Sequence, residues 1–250
     1  MKTRHLLILI LATLVGLAGC KADEEDEAKT TEEAAEEKPT PEEMVPKCME
    51  LKENAGGRFC CEPGQTLKGG LPTKHEGLWC ETDDVKQGSA RDFHPEALLH
   101  WNTTYNKGQE HGTRIAWHKN GIKHYEMSFQ DGRKHGPMTE WSAAGQLHCE
   151  GAYEKGEKHG PEIMYHKNGS KKSMGTYLHG KRDGLWTEWR KSGQKKSKVE
   201  YDRGFRHGTE VFWHTNGQMW YREIYENGTR IGQREEWTPE GAALSGPAVK

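Results

Sequence analysis

"DGRKHGPMTEWSAAG", residues 131–145, decides the fold, because twenty-four residues later the chain reads "KGEKHGPEIMYHKNG" (155–169) and twenty-four further on "HGKRDGLWTEWRKSG" (179–193). Three glycine columns keep this interval: Gly108 to Gly228, Gly112 to Gly232 and Gly121 to Gly241, six copies each. Two aromatic columns keep it too. One is Tyr105, Phe129, Tyr153, Tyr177, Tyr201 and Tyr225; the other is Trp117, Trp141, Tyr165, Trp189, Trp213 and Trp237. Five columns in six copies without an insertion exclude chance, and a period in this range signals an array of repeated supersecondary units.

Within each unit, two polar runs interleaved with Val, Ile, Phe, Tyr and Trp alternate with glycine turns, which suits two short antiparallel strands. The residues tolerated at the first turn limit its type. The three positions ending in the fixed glycine read KNG, AAG, KNG, KSG, TNG and PEG. A two-residue turn with positive φ at both central positions is resisted by Ala144, Ser192 and Glu240. A three-residue loop, left-handed only at glycine, accepts them, and Pro239 suits its first position. Residue 117 then lies opposite 123, so odd positions of both strands share a face and both aromatic columns line one side. A lone hairpin of this kind is unstable in water. Stacking lets ladder hydrogen bonds and aromatic columns run continuously. The expected fold is all-β: a single elongated, twisted sheet of antiparallel hairpins.

The order aromatic, two residues, glycine, three residues, glycine, four residues, aromatic, then a glycine turn resembles the MORN repeat in its bacterial second type. Tyr105, Gly108, Gly112, Trp117 and Gly121 carry the likeness in the first copy, and later copies match at the same offsets. The resemblance implies extended sheets serving as scaffolds or binding surfaces, with some bacterial relatives labelled antitoxins. Asp183 and Ile231 depart from the histidine that precedes the second glycine elsewhere.

Upstream, Lys2 and Arg4 precede an apolar run from Leu6 to Ala18, too short to cross a bilayer that needs about 20 residues. Residues 1–19 are expected to be a signal peptide. Leu17, Ala18, Gly19 and Cys20 resemble a bacterial lipobox, which implies lipidation of Cys20; Lys21, standing where an aspartate retains some lipoproteins, implies the outer membrane of a Gram-negative cell. From Lys21 to Lys47 run eleven acidic and four basic residues with three prolines. The segment 20–47 is expected to be a disordered tether.

Four cysteines, Cys48, Cys60, Cys61 and Cys80, fall in one glycine-rich stretch. In an exported protein an even cluster reads as two disulfides. Neighbours Cys60 and Cys61 resist pairing with each other, leaving Cys48–Cys60 with Cys61–Cys80, which is favoured, or the crossed arrangement. Residues 61–81 also resemble a cysteine-bounded segment that precedes such repeats in some lipoproteins, which supports Cys61 with Cys80. Zinc is disfavoured there by the missing CxxC spacing. Cys149 is left over, as a partly covered strand residue. The expected organisation is a disulfide module over 48–80, a degenerate capping repeat over 81–104, where "HPEALLHW" replaces a glycine turn, and six repeats with a short tail over 105–250.

His111, His135, His159 and His207 form one ladder, and His118, His166 and His214 another. Equivalent residues of successive hairpins stand about 9.6 Å apart, too far to share an ion, so hydrogen-bonding rather than metal-binding histidines are expected. No catalytic or cofactor motif is present, and no extended basic block points to nucleic acid. Two patches are candidate binding surfaces: a stripe of Lys171, Lys172, Lys195, Lys196 and Lys198, and the apolar Trp186, Phe212, Trp220 and Ile224, placed at even positions away from the aromatic columns. Asn102, Asn168 and Asn227 match glycosylation sequons, which a bacterial lipobox sets aside. The expected function is that of a lipid-anchored, cell-envelope, non-catalytic scaffold that binds a protein or a membrane surface, without a small-molecule substrate. The rivals are an antitoxin-like immunity protein and a purely structural spacer.

Overall fold

A computed structural model describes residues 48–51, 57–62, 64–70, 77–95 and 98–245. The expected signal peptide over 1–19, Cys20 and the expected tether to residue 47 lie outside the described residues. Every regular element described is a strand. A two-stranded ribbon pairs Cys48–Glu50 with Arg58–Cys60. All other strands join one antiparallel sheet in chain order. It begins with Thr66–Gly69, Leu78–Thr82, Val85–Phe93 and Leu99–Asn106. It continues through hairpins Gly112–Trp117 with Lys123–Gln130, Arg133–Trp141 with Leu147–Glu154, Gly160–Tyr165 with Lys171–Leu178, Lys181–Trp189 with Lys195–Asp202, and Phe205–Trp213 with Met219–Glu226. Thr229–Trp237 with Ala243–Ser245 closes the series, and Gln109–Glu110 and Glu157–Lys158 are short additions to the ladder. No register among the described residues returns the last strand to the first, so the sheet is an open ribbon.

The loop length read from Ala144, Ser192 and Glu240 is the one found. The amide of His118 donates to the carbonyl of Ile122 at 2.8 Å, and Ser142, His166, Arg190, His214 and Thr238 repeat that closure. Positive φ within these loops falls on glycine, as at Gly121 (80°) and Gly193 (84°). "HPEALLHW" closes in the same way, His94 donating to Leu98 at 2.8 Å. The capping unit therefore has the geometry of a full hairpin. At the opposite rim, Asp131 (φ 50°) and Gly132 (φ 74°) make a two-residue turn of the kind matched to strand twist, and Lys107-Gly108 before it and the four later rim turns do likewise.

One expectation fails on a single extra residue per unit. Trp117 lies opposite Lys123, as a three-residue loop requires, but Ala116 lies opposite Tyr125. His124 is a β-bulge, and the alternation of side chains reverses beyond it. Phe129 consequently lies opposite Gly112, on the face of Ala116 and away from Trp117. Trp141, Tyr165, Trp189, Trp213 and Trp237 carry the same irregularity. The two aromatic columns occupy opposite faces, here named the tyrosine face and the tryptophan face.

Disulfides link Cys48 to Cys60 and Cys61 to Cys80. The boundary expected between 80 and 81 falls inside Leu78–Thr82, so the cysteine-rich stretch is continuous with the sheet. Phe59, Leu67, Leu78, Cys80 and Phe93 form one buried cluster. Phe93 stands twenty-four residues before Trp117, so the ribbon packs on the tryptophan face and covers its N-terminal end. A second cluster, Met127, Met138, Cys149 and Tyr153, lies on the tyrosine face. Cys149 is fully buried there, more covered than its sequence neighbours suggested.

Candidate functional site

The tyrosine face is a lattice of rings, cations and carboxylates. Lys134 stands over the ring of Tyr153 at 5.0 Å, Lys158 over Tyr177 at 4.8 Å, Arg182 over Tyr201 at 5.5 Å and Arg206 over Tyr225 at 5.2 Å. Each cation reaches the ring on the partner strand of its own hairpin, so cation–π contacts tie the two strands of a unit together. Trp186 fills a notch that a side chain would block: a Cβ on Gly175 would stand 2.2 Å from its ring. Tyr177 meets that ring edge-on at 5.0 Å, and Phe212 stacks on Tyr221 at 4.7 Å.

Carboxylates sit under this lattice. Glu140, Glu162, Glu210 and Glu223 are buried. Arg206 pairs with Glu210 at 3.1 Å and Arg230 with Glu223 at 2.9 Å, while Lys158 contacts Glu162. Burial pushes Glu140 up to about 7, with Lys158 and Lys134 opposing. His124, 3.9 Å away, is pushed down to about 4 by burial and by His118, His100 and His148. Between those values both groups are mainly uncharged, which relieves the burial of two ions.

The tryptophan column supplies carbonyls for stitching. His118 Nε2 lies 2.9 Å from the Trp141 carbonyl, His166 Nε2 2.9 Å from that of Trp189 and His214 Nε2 2.8 Å from that of Trp237. Arg190 donates to the Trp213 carbonyl at 2.7 Å in a unit without the histidine. Asn120 Nδ2 donates to the Ala143 carbonyl at 2.7 Å and Asn168 Nδ2 to that of Lys191 at 2.8 Å, so adjacent loops are tied. In the other ladder, His135 Nδ1 accepts from the Lys155 amide at 3.5 Å, and Asp183 Oδ1 accepts from the Arg203 amide at 3.1 Å. Asp183, a departure from the repeat, thus keeps the acceptor.

The bulge redistributes the expected binding residues. Trp186, Phe212 and Trp220 share the tyrosine face, contrary to expectation, whereas Ile224 lies on the opposite side, across from Thr209 and Ile231. Trp220 packs against Tyr221 at 5.2 Å and His214 at 5.8 Å. The lysine stripe is split likewise. Lys171 and Lys195 pair with Tyr165 and Trp189 and lie on the tryptophan face with Lys198, while Lys172 and Lys196 are bulge residues turned to the other face. Lys196 is held by Glu188 at 2.9 Å.

What emerges instead is an apolar row that the sequence reading missed. Leu185 (44% exposed), Phe205 (59%), Ile224 (46%) and Ile231 (44%) lie on the tryptophan face of the last three hairpins. Apolar residues at odd positions, such as Leu185, Phe205 and Ile231, carried the signal, but it could be read only with the correct parity. A hollow of about 210 Å³ lined by Ser89, Arg91, Asn102, Thr104 and Thr113 is smaller than the usual ligand pocket.

Three consecutive stretches, residues 158–179, 182–203 and 206–227, match the family model of the MORN repeat variant. Comparison with curated proteins returns no match. The matched stretches are successive units of the sheet described above, and the earlier units continue the same register and turn geometry.

Proposed function

We propose that this chain of MORN-variant repeats is a non-catalytic, lipid-anchored scaffold of the bacterial cell envelope that binds a protein partner through its tryptophan face. The observation that carries this reading is the row of Leu185, Ile224 and Ile231 with Phe205 beside it. Ile224 and Ile231 lie directly opposite each other, and Leu185 stands further along the same row beyond Glu200 and Thr209; large apolar side chains exposed on one face of neighbouring hairpins mark an interaction surface. Lys171, Lys195 and Lys198 share that face and favour a partner with an acidic rim. The same face is covered at the N-terminal end by the disulfide-linked ribbon, which leaves the C-terminal hairpins as the accessible half. The lipobox-like Cys20 supplies the anchor in this reading, and the acidic linker supplies reach.

A photo-crosslinking residue placed at Ile224 or Leu185 in the intact, membrane-attached protein is expected to capture a discrete partner, and the same residue at Tyr201 is not. Equal capture from both faces, or none from either, would refute the assignment of the face. Cys20→Ser is expected to move the protein from the membrane to the soluble fraction; retention of the variant would remove the anchor from the proposal.

A further inference from the structure

We propose that Glu154, His159 and His179 form a binding site for a single divalent transition-metal ion, with zinc the best match. Their ligand atoms all lie within 4.8 Å of one another, and no other group of three such side chains meets that geometry among the described residues. The spacing of about 9.6 Å that prevents shared ligation separates equivalent residues of one column. Here the donors come from three columns: Glu154 precedes a two-residue rim turn, His159 follows it, and His179 is the first residue of the next rim turn.

Comparison with the other units isolates the site. The corresponding trios are Asn106, His111 and Asp131; Gln130, His135 and Lys155; Leu178, Asp183 and Arg203; and Asp202, His207 and Asn227. Only the Glu154 unit offers two imidazoles and a carboxylate, a donor set that zinc accepts while keeping a fourth position open. Where the turn residue is Lys155 or Arg203, the ladder side chain accepts a hydrogen bond from that residue's amide. In this unit the buried Nδ1 of His159 has no hydrogen-bond partner. It lies 3.4 Å from Glu154 Oε2 without the alignment of a hydrogen bond. Tetrahedral zinc with bonds of about 2.0–2.1 Å places neighbouring donor atoms about 3.4 Å apart. The His159–Glu154 separation already has that value, and the His179 ring, 5.2 Å from the His159 ring between centroids, closes the third side through rotation of an exposed side chain. The bound ion would clip two successive hairpins at the rim and present its open position to solvent or to a donor from another molecule.

The test is calorimetric titration of Zn²⁺ into the full-length chain after chelator treatment, with Co²⁺ as an optical probe of tetrahedral geometry. Wild type is expected to bind one equivalent in the micromolar range or tighter, and His179→Asn and Glu154→Gln to weaken it at least tenfold. Both substitutions lie at partly or fully exposed positions, and unfolding by urea verifies that each variant stays folded. His207→Asn, in the equivalent ladder position two units on, is expected to leave binding unchanged. Affinity within twofold of wild type in His179→Asn and Glu154→Gln would overturn the site and move the metal elsewhere, for instance to the histidines around His124. Absence of micromolar binding in the wild type would overturn it outright.

Discussion

Gly175 and Trp186 show how one residue licenses another. The indole lies where a Cβ would stand 2.2 Å away, so Gly175→Ala is expected to cost about 1–3 kcal/mol in urea unfolding. In a Trp186→Ala background the same change should cost little, and an undiminished cost there would show that the strain arises elsewhere. Glu140 and His124 make a pH prediction. The Glu140 carboxyl, raised in the folded state to about 7, contributes stability that is complete below its unfolded value and fades as pH rises through 7. His124, depressed to about 4, contributes stability that is complete above its unfolded value near 6.5 and is lost as pH falls to 4. The slopes oppose each other between about 4.5 and 6.5. In Glu140→Gln only the histidine slope remains, so stability should fall on acidification from pH 6.5 to 4. Above pH 7 that variant should exceed wild type by up to about 3 kcal/mol. A flat or inverted profile would contradict the burial assigned to these groups.

At the scale of the element, the hairpin, the inter-loop stitches should be separable. Asn168→Ala removes the bond to the Lys191 carbonyl and the acceptor for the Ser170 amide, and is expected to cost about 1 kcal/mol. Unchanged thermal unfolding would assign those contacts no weight. The length of the first loop was legible because Ala144, Ser192 and Glu240 cannot take positive φ cheaply. The bulge was not, since an extra residue inside a strand needs no special side chain: its positions hold His100, His124, His148, Lys172, Lys196, Trp220 and Leu244. Its signal lay in arithmetic. A three-residue loop keeps parity between paired strands, a two-residue turn reverses it, and the twenty-four-residue period demands that equivalent residues return to the same face. Only an odd number of inserted residues satisfies all three, and Asp131-Gly132 was the turn whose length completes the sum. The metal trio was hidden for a related reason. Which turn residue meets which ladder histidine depends on the register between hairpins, and a comparison down one column does not contain it.

For the whole molecule, each hairpin contacts chiefly its predecessor and successor, so stability should approximate a sum of unit and neighbour contributions. Removal of residues 157–180 joins matching positions and is expected to leave a folded sheet with a modestly lowered melting temperature. Removal of twelve residues instead should abolish cooperative unfolding. If both deletions behave alike, the nearest-neighbour description fails. Hydrogen exchange should be slowest in the central hairpins and fastest at Ala243–Ser245, whose outer edge has no further strand among the described residues. The bulge finally bears on how such a chain can lengthen. Because one irregular residue resets orientation once per repeat, a gene duplication spanning a whole repeat extends the ribbon with its sidedness intact, while any fractional one turns every downstream surface over. Reach can therefore drift freely over generations in whole steps, and recognition is inherited without redesign.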